Sequence, residues 1–199
     1  MNNKYVNRAK ISEAKFRELI RFFSLDLTAI QIAELTGLNR NTINRYLSEI
    51  RRKISHYSQI TAPPSLKIQK NLKTDKNDTF SILIKESDSK IFAETISNKQ
   101  LNKETIPTLK ATGFDVLINL ENHTHTFIGT KSSDKAEHRK KVNRIESFWG
   151  HAKSRLAKFK GIHSSTFNLH MKECVFRFNH RGDDLYLLLL KILRNDPLF

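Results

Sequence analysis

In the stretch "VNRIESFWGHAKSRL", residues 142–156, one carboxylate, Glu146, stands among aromatics, and Lys153 follows seven residues on. On a helix turning about 100° per residue, with Glu146 at zero, Ile145, Phe148, Trp149, Ala152, Leu156 and Phe159 fall between about 200° and 300°. That is one apolar stripe facing a core. Lys153 lies only about 20° from Glu146, two turns along, with Gly150 between them. A carboxylate at the edge of such a stripe can hold Mg²⁺. A lysine two turns on can hold a phosphate that the metal also touches. The spacing by itself also permits an ordinary surface acid among basic neighbours.

A second constellation lies near the start of the chain. "TAIQIAELTGLNRNTINRYLSEIRRKI" (28–54) reads as two short helices around a glycine turn. Thr28 caps the first helix, with Ile32, Ala33 and Leu35 inward. Gly37 supplies the turn because it takes positive φ without steric cost. Asn39 caps the second helix, with Ile43, Leu47 and Ile50 on one face. This is a helix-turn-helix pattern. The second helix presents Arg40, Asn41, Asn44 and Arg45 near its start, and Arg51, Arg52 and Lys53 near its end. Arginine pairs bidentately with guanine and asparagine with adenine in the major groove, and the terminal cations suit phosphates. A helical hairpin with a solvated basic face is the alternative.

Other reactive side chains are less organised. The histidines at 123, 125, 138, 151, 163, 170 and 180 do not form two pairs at zinc-ligand spacing. Cys174 reads as core. Arg177 and Arg181 could meet DNA, or could pair with Glu173 and with Asp183–Asp184.

The elements that must position these groups follow from pattern and composition. The chain has 199 residues, 38% of them hydrophobic, one cysteine and a net charge of +15. Residues 1–60 carry 11 Lys/Arg against 5 Asp/Glu, 61–130 carry 9 against 8, and 131–181 carry 13 against 4. Two basic zones around a neutral middle suit two surfaces that meet a polyanion. The single cysteine fits a reducing interior. The longest apolar run, "LYLLLLKIL", is too short to span a membrane. A soluble cytoplasmic protein with no membrane partner is expected.

A helix is expected from Ser12 over 11–27, with Phe16, Leu19, Ile20 and Phe23 inward. Residues 58–78, with two adjacent prolines, read as a linker. "TFSILIKES" and "KIFAETIS" read as strands around a turn, and "FDVLINL" as a buried strand. A helix is expected around Pro107, a polar loop from Glu121 to Lys141, and helices over 140–160, 164–179 and 183–194, the last capped by Asp183. The fold class is α+β. The expected domains are a helix-turn-helix over 1–57, able to bind duplex DNA by itself, the linker over 58–78, and a second domain over 79–199.

The run "VNRIESFWGHAKSRLAKFKGI" with "FNLHMKECVFRFNHR" resembles the C-terminal part of bacterial insertion-sequence transposases of the DDE type. More narrowly, it resembles the ISXO2-like, DDEK-type transposase domain group. That group's last acid sits in an N-G-I-E-x-F-W motif, with a lysine seven residues on. Asn143, Ile145, Glu146, Phe148, Trp149 and Lys153 match, and Arg144 replaces the glycine. Lys172 to Arg181 match a K-E-C-x-F-R-F-N-H-R run. The resemblance implies an RNase H-like (DDE integrase) core with C-terminal helices, behind an end-binding helix-turn-helix. It implies DNA strand transfer by two Mg²⁺ ions held between three carboxylates, with Glu146 as third metal ligand and Lys153 beside it. It also implies double-stranded DNA at the element's ends as partner.

The chain departs from that pattern in two places. No opening core strand with its acid exists between residues 55 and 78, where Asp75 and Asp78 sit in polar sequence. Leu120 occupies the second acid's place. Glu121 comes one residue late and so on the other face of a strand, and Asp115 lies at the wrong end. The resemblance therefore implies an incomplete core and a transposase-family protein that binds DNA but is catalytically defective. The other reading is a non-enzymatic helix-turn-helix regulator, or an inhibitor of a full-length transposase. A sheet missing its central strand is expected to pair imperfectly and to associate through an exposed edge, in a homo-oligomer or with a full-length transposase.

Overall fold

The computed structural model describes residues 3–62, 79–101, 107, 109, 113–121, 124–129, 134–159 and 162–199. The chain divides into two compact units. The first comprises Met1–Ile60 with His180–Phe199, and the second Thr61–Asn179. The described residues form six α-helices and one four-stranded antiparallel sheet, so the fold is mixed α+β.

In the first unit, α1 (Glu13–Ser24), α2 (Ala29–Thr36) and α3 (Arg40–Ile60) begin at side-chain caps. The Ser12 hydroxyl accepts from the Lys15 N–H at 3.2 Å. Thr28 and Gln31 exchange both bonds of a capping box, one at 2.9 Å and one at 3.4 Å, which satisfies two orphan donors at once. Gly37 closes α2 in the left-handed region at φ +68°. The Asn39 side chain then accepts from the Asn41 N–H at 2.8 Å. Phe16, Leu19, Ile20, Ile32, Ile43 and Ile50 are fully buried, each contributing roughly 1.5–3 kcal/mol of transfer free energy. Leu35 does not turn inward as expected and is 56% exposed. The two turns of α2 bury a single row, Ile32 and Thr36. The Thr36 hydroxyl is satisfied by donating to the Ile32 carbonyl at 2.6 Å.

The last helix, α6 (Leu185–Asn195), belongs to this unit and not with 79–179. It packs against α1 and α3 and buries Leu189, Leu190, Ile192 and Leu193. The N-terminal arm pairs with the tail behind it. Asn7 N–H donates to the Leu198 carbonyl and Leu198 N–H to the Tyr5 carbonyl, both at 2.9 Å. The N-cap of α6 is Asp184, which accepts from the Leu187 N–H at 3.0 Å. Asp183, expected there, pairs instead with the His180 ring at 2.6 Å.

In the second unit, β1 (Phe80–Ser87) and β2 (Lys90–Ser97) form a hairpin with an unbroken register. Asp88 and Ser89 make its two-residue turn at φ +51° and +64°, the signature of the turn that matches strand twist. β3 (Val116–Asn119) pairs with β1, and β4 (His125–Phe127) pairs with β3. The spatial order is β2-β1-β3-β4. The strand β4 lies where a polar loop was expected. Its three residues are all exposed, so no alternation marked it.

Two helices cover one face of the sheet, α4 (Lys135–Leu156) and α5 (Ser164–Asn179). Ile82, Ile84, Ile91, Ala93, Val116 and Ile118 meet Phe148, Trp149, Met171, Cys174 and Phe178 there. Leu83, Phe114, Leu117 and Ile128 form a second cluster, so β3 is buried on both faces, as its continuous apolar run predicted. Asp134 starts α4 earlier than expected, accepting from the Ala136 and Glu137 N–H groups at 2.8 and 3.4 Å.

The ladder is more complete than a sheet with a missing strand suggested. The hairpin makes Ser87 and Lys90 a hydrogen-bonded pair, so Ile91 and Ala93 turn their backbone groups outward from β2. Side chains of α5 meet them. Asn179 accepts from the Ile91 N–H at 2.8 Å and donates to its carbonyl at 2.7 Å. The Lys172 ammonium donates to the Ala93 carbonyl at 2.7 Å. This stretch of the β2 edge is therefore occupied, not open.

Most of the expected linker, the body of the helix around Pro107 and the break at Gly161 lie outside the described residues, as do Asp75 and Asp78. Residues 58–60 end α3. Among the described residues no helix is long and apolar enough to cross a membrane.

Candidate nucleic-acid interface

The start of α3 separates polar from apolar side chains. Ile43, Leu47 and Ile50 are buried, while Arg40, Asn41, Asn44 and Arg45 are exposed. The side-chain cap at Asn39 fixes where the helix begins, and so which residues reach outward in its first turns. These four carry guanidinium and carboxamide groups on one exposed side, the groups able to address base edges. The Arg45 guanidinium lies over the Phe199 ring, 4.2 Å from its centroid.

The three cations expected at the far end of α3 divide. Arg51 is only 8% exposed, with its guanidinium 5.9 Å from the Phe23 ring centroid. It follows Leu47 by four residues, so it continues the buried row against α1 instead of the outer face. Lys53 forms an ion pair with Asp196. Arg52 is exposed and pairs with Glu49 one turn back. Of these three, Arg52 is the one with an exposed side chain.

On α4, Glu146 and Lys153 are both exposed, while Ile145, Phe148, Trp149 and Ala152 are buried on the opposite side. The Lys153 ammonium lies 5.8 Å from the Trp149 ring centroid, within cation–π range. His125 of β4 meets the same ring edge-on at 6.2 Å.

The carboxylates do not gather around Glu146. Asp115 is buried at the start of β3, where it accepts from the Glu86 N–H and pairs with Lys141, both at 2.7 Å. It is committed to holding β1, β3 and α4 together. Glu121 is exposed beyond the end of β3, its N–H bonded to the Asn119 side chain at 2.8 Å. Leu120 packs against the core. Among the described residues no three His, Cys, Asp or Glu side chains form a group that could hold a metal ion. These residues do not fit a centre that needs carboxylates around two Mg²⁺ ions.

Of the run from Lys172 to Arg181, the part up to Asn179 lies on the helix that packs against the sheet. Glu173, fully buried, pairs with Arg155 and with Arg177 Nε at 2.8 Å. Arg177 thus takes the ion-pair alternative. Arg155 also donates to Cys174 Sγ at 3.4 Å, so the cysteine is a core residue. Arg155 carried a signal in the sequence: with Glu146 at zero it falls at about 180°, beside Phe148 on the apolar stripe. Arg144, in the glycine's place, pairs with Glu86 of β1. Lys135, Arg139 and Lys140 are exposed on the first turns of α4. Together with Asn143 they line a shallow basic depression of about 610 Å³. Sequence reasoning missed it because the helix was started too late.

No family model matches the chain, and no solved structure is significantly similar to it. Over 80 residues, 40% of its length, the chain is 39% identical to an uncharacterized transposase-like protein of Haemophilus influenzae, strain KW20/Rd. The matching part spans 63% of that curated relative.

Proposed function

We propose that the chain is a DNA-binding protein of the DDE insertion-sequence transposase kind, nearest to the ISXO2-like, DDEK-type group. In this reading α2 and α3 form the helix-turn-helix that recognises duplex DNA at an element's ends. The exposed start of α3 carries the proposal. Arg40, Asn41 and Asn44 stand clear of the protein on a helix whose other side is locked in a core. The likeness to a transposase-like protein supports the same reading.

The second unit is proposed to be an RNase H-like core that lacks its first strand. The pairing of β1 with β3 supports this. Suppose a central strand ran antiparallel to one neighbour and parallel to the other. Its removal would leave those neighbours antiparallel, as β1 and β3 are from Ser81↔Asn119 to Ile84↔Val116. Glu146 then stands without its two companion acids, and no strand-transfer step is assigned to this chain alone. The exposed outer face of α3, taken together with a Glu146 that lacks companion acids among the described residues, favours one further reading, a regulator or inhibitor that occupies the ends used by a full-length transposase.

The test is a titration of the 199-residue chain against labelled DNA, with binding sites selected from a random pool. Arg40→Ala or Asn44→Ala is expected to relax sequence preference at a cost of roughly 1–3 kcal/mol each. Arg52→Ala weakens all sequences alike. Absence of binding at low salt refutes the proposal. Strand cleavage with Mg²⁺ or Mn²⁺ that vanishes on Glu146→Gln refutes its catalytic part.

A further inference from the structure

We infer that a groove in the first unit, between the N-terminal arm and α3, binds the sugar-phosphate backbone of duplex DNA beside the bases that α3 would read. This rests on the DNA-binding reading above and adds residues to it, Arg8, Lys10 and Phe199. It also gives Arg45 a different task, to clamp a phosphate and not to read a base.

The groove encloses about 1120 Å³, and its lining includes Arg8, Lys10, Thr42, Arg45 and Phe199 and no Asp or Glu side chain. That volume exceeds the ~300–1,000 Å³ typical of small-ligand pockets. Three cationic side chains and a hydroxyl along an open strip, with no acidic side chain among them, match a phosphodiester backbone. Arg8 and Lys10 are both exposed.

The cations are held by fixed backbone. The arm is pinned to the tail by the bonds between Tyr5, Asn7 and Leu198, and by Asn7 Nδ2 donating to the Phe199 carbonyl at 2.9 Å. Tyr5 stacks on Phe16 at 5.9 Å. Arg8 stands just beyond these anchors, in the left-handed region at φ +50°. The Phe199 ring, itself edge-on to Tyr46 at 5.8 Å, carries the Arg45 guanidinium on its face. A stacked guanidinium keeps its N–H edge free and loses less freedom on binding a phosphate. Phe199 is therefore a positioning residue.

Fluorescence anisotropy of the full chain with a random-sequence duplex, followed across a salt series, tests this. Each phosphate contact contributes about 0.9 to the slope of log K against log salt. The Arg8→Gln/Lys10→Gln double variant is expected to flatten the slope by about 1.8 while leaving sequence preference unchanged. Lys10→Gln alone, at an exposed side chain, should flatten it by about 0.9. Phe199→Ala removes no charge and is expected to weaken binding about two- to fivefold with the slope unchanged, and Phe199→Tyr to restore it. A chain that binds DNA with the same slope in both charge variants overturns the groove and leaves the α3 reading standing. A wild-type chain that binds no DNA overturns both.

Discussion

Replacing Leu193 by alanine should destabilise the first unit, although Leu193 lies far along the chain from α1, α2 and α3. Leu193 is 0% exposed, and the neighbouring Leu189 is 1% exposed, on the face of α6 that packs in the first unit. A buried Leu→Ala change costs roughly 2–5 kcal/mol, because the cavity collapses only partly. The first unit, of roughly 80 residues, would have a stability of only about 4–12 kcal/mol at typical values per residue. With a urea slope of about 1 kcal/mol per molar, a loss of ~3 kcal/mol moves its midpoint by about 3 M.

The chain supplies separate reporters for the two units. Its four tyrosines, Tyr5, Tyr46, Tyr57 and Tyr186, all lie in the first unit, and its single tryptophan, Trp149, lies in the second. Urea unfolding is followed by tyrosine near-ultraviolet dichroism, and by Trp149 fluorescence excited where tyrosine does not absorb. The tyrosine transition should fall and the tryptophan transition should stay. A variant in which Trp149 moves and the tyrosines do not would refute the assignment of α6 to the first unit. The same reasoning revises the expectation that residues 1–57 suffice. That fragment lacks α6 and Leu198. It should bind DNA only when 180–199 is joined back to it.

Glu173→Gln should cost about 3–5 kcal/mol in the Trp149 transition, because Arg155 and Arg177 lose the carboxylate that compensates them in the core. Glu146→Gln should change stability by less than about 0.5 kcal/mol, as expected of an exposed side chain away from caps and core; a larger loss in the same urea titration would place Glu146 in a structural role. Burial pushes the Tyr46 hydroxyl above the ordinary tyrosine value, partly offset by the charge of Arg45. A raised folded value means that the neutral form is favoured in the fold. This contribution is therefore complete below about pH 10 and is lost as pH rises through the raised value. Urea midpoints of the first unit should fall in that alkaline window, and less so in Tyr46→Phe.

Local signals were legible wherever the cause was local. The caps at Ser12, Thr28 and Asn39, the positive φ at Gly37, the hairpin around Asp88 and Ser89, and the buried faces of α1, α3 and α4 all follow from neighbouring residues, whose periodicity the sequence displays. Glu146 and Lys153 fell on the exposed side of α4 for the same reason: a helix converts spacing directly into direction.

What the tertiary structure decided are the partnerships between distant segments. The chain's own order puts α6 beside α5, but its apolar face is buried against α1 and α3. Nothing in "LYLLLLKIL" names the surface it will cover, because hydrophobic burial is non-directional. The cations behave in the same way. Arg51 and Lys53 look in sequence like cations that would meet DNA, and Arg177 could do so or pair with Glu173. The fold spends Arg51 on the Phe23 ring, Lys53 on Asp196, and Arg155 and Arg177 on Glu173. Arg8, Lys10, Arg40 and Arg45 remain at the surface. A charge is legible in sequence, but its partner is not, since an ion pair forms only when folding brings two segments within a few ångströms.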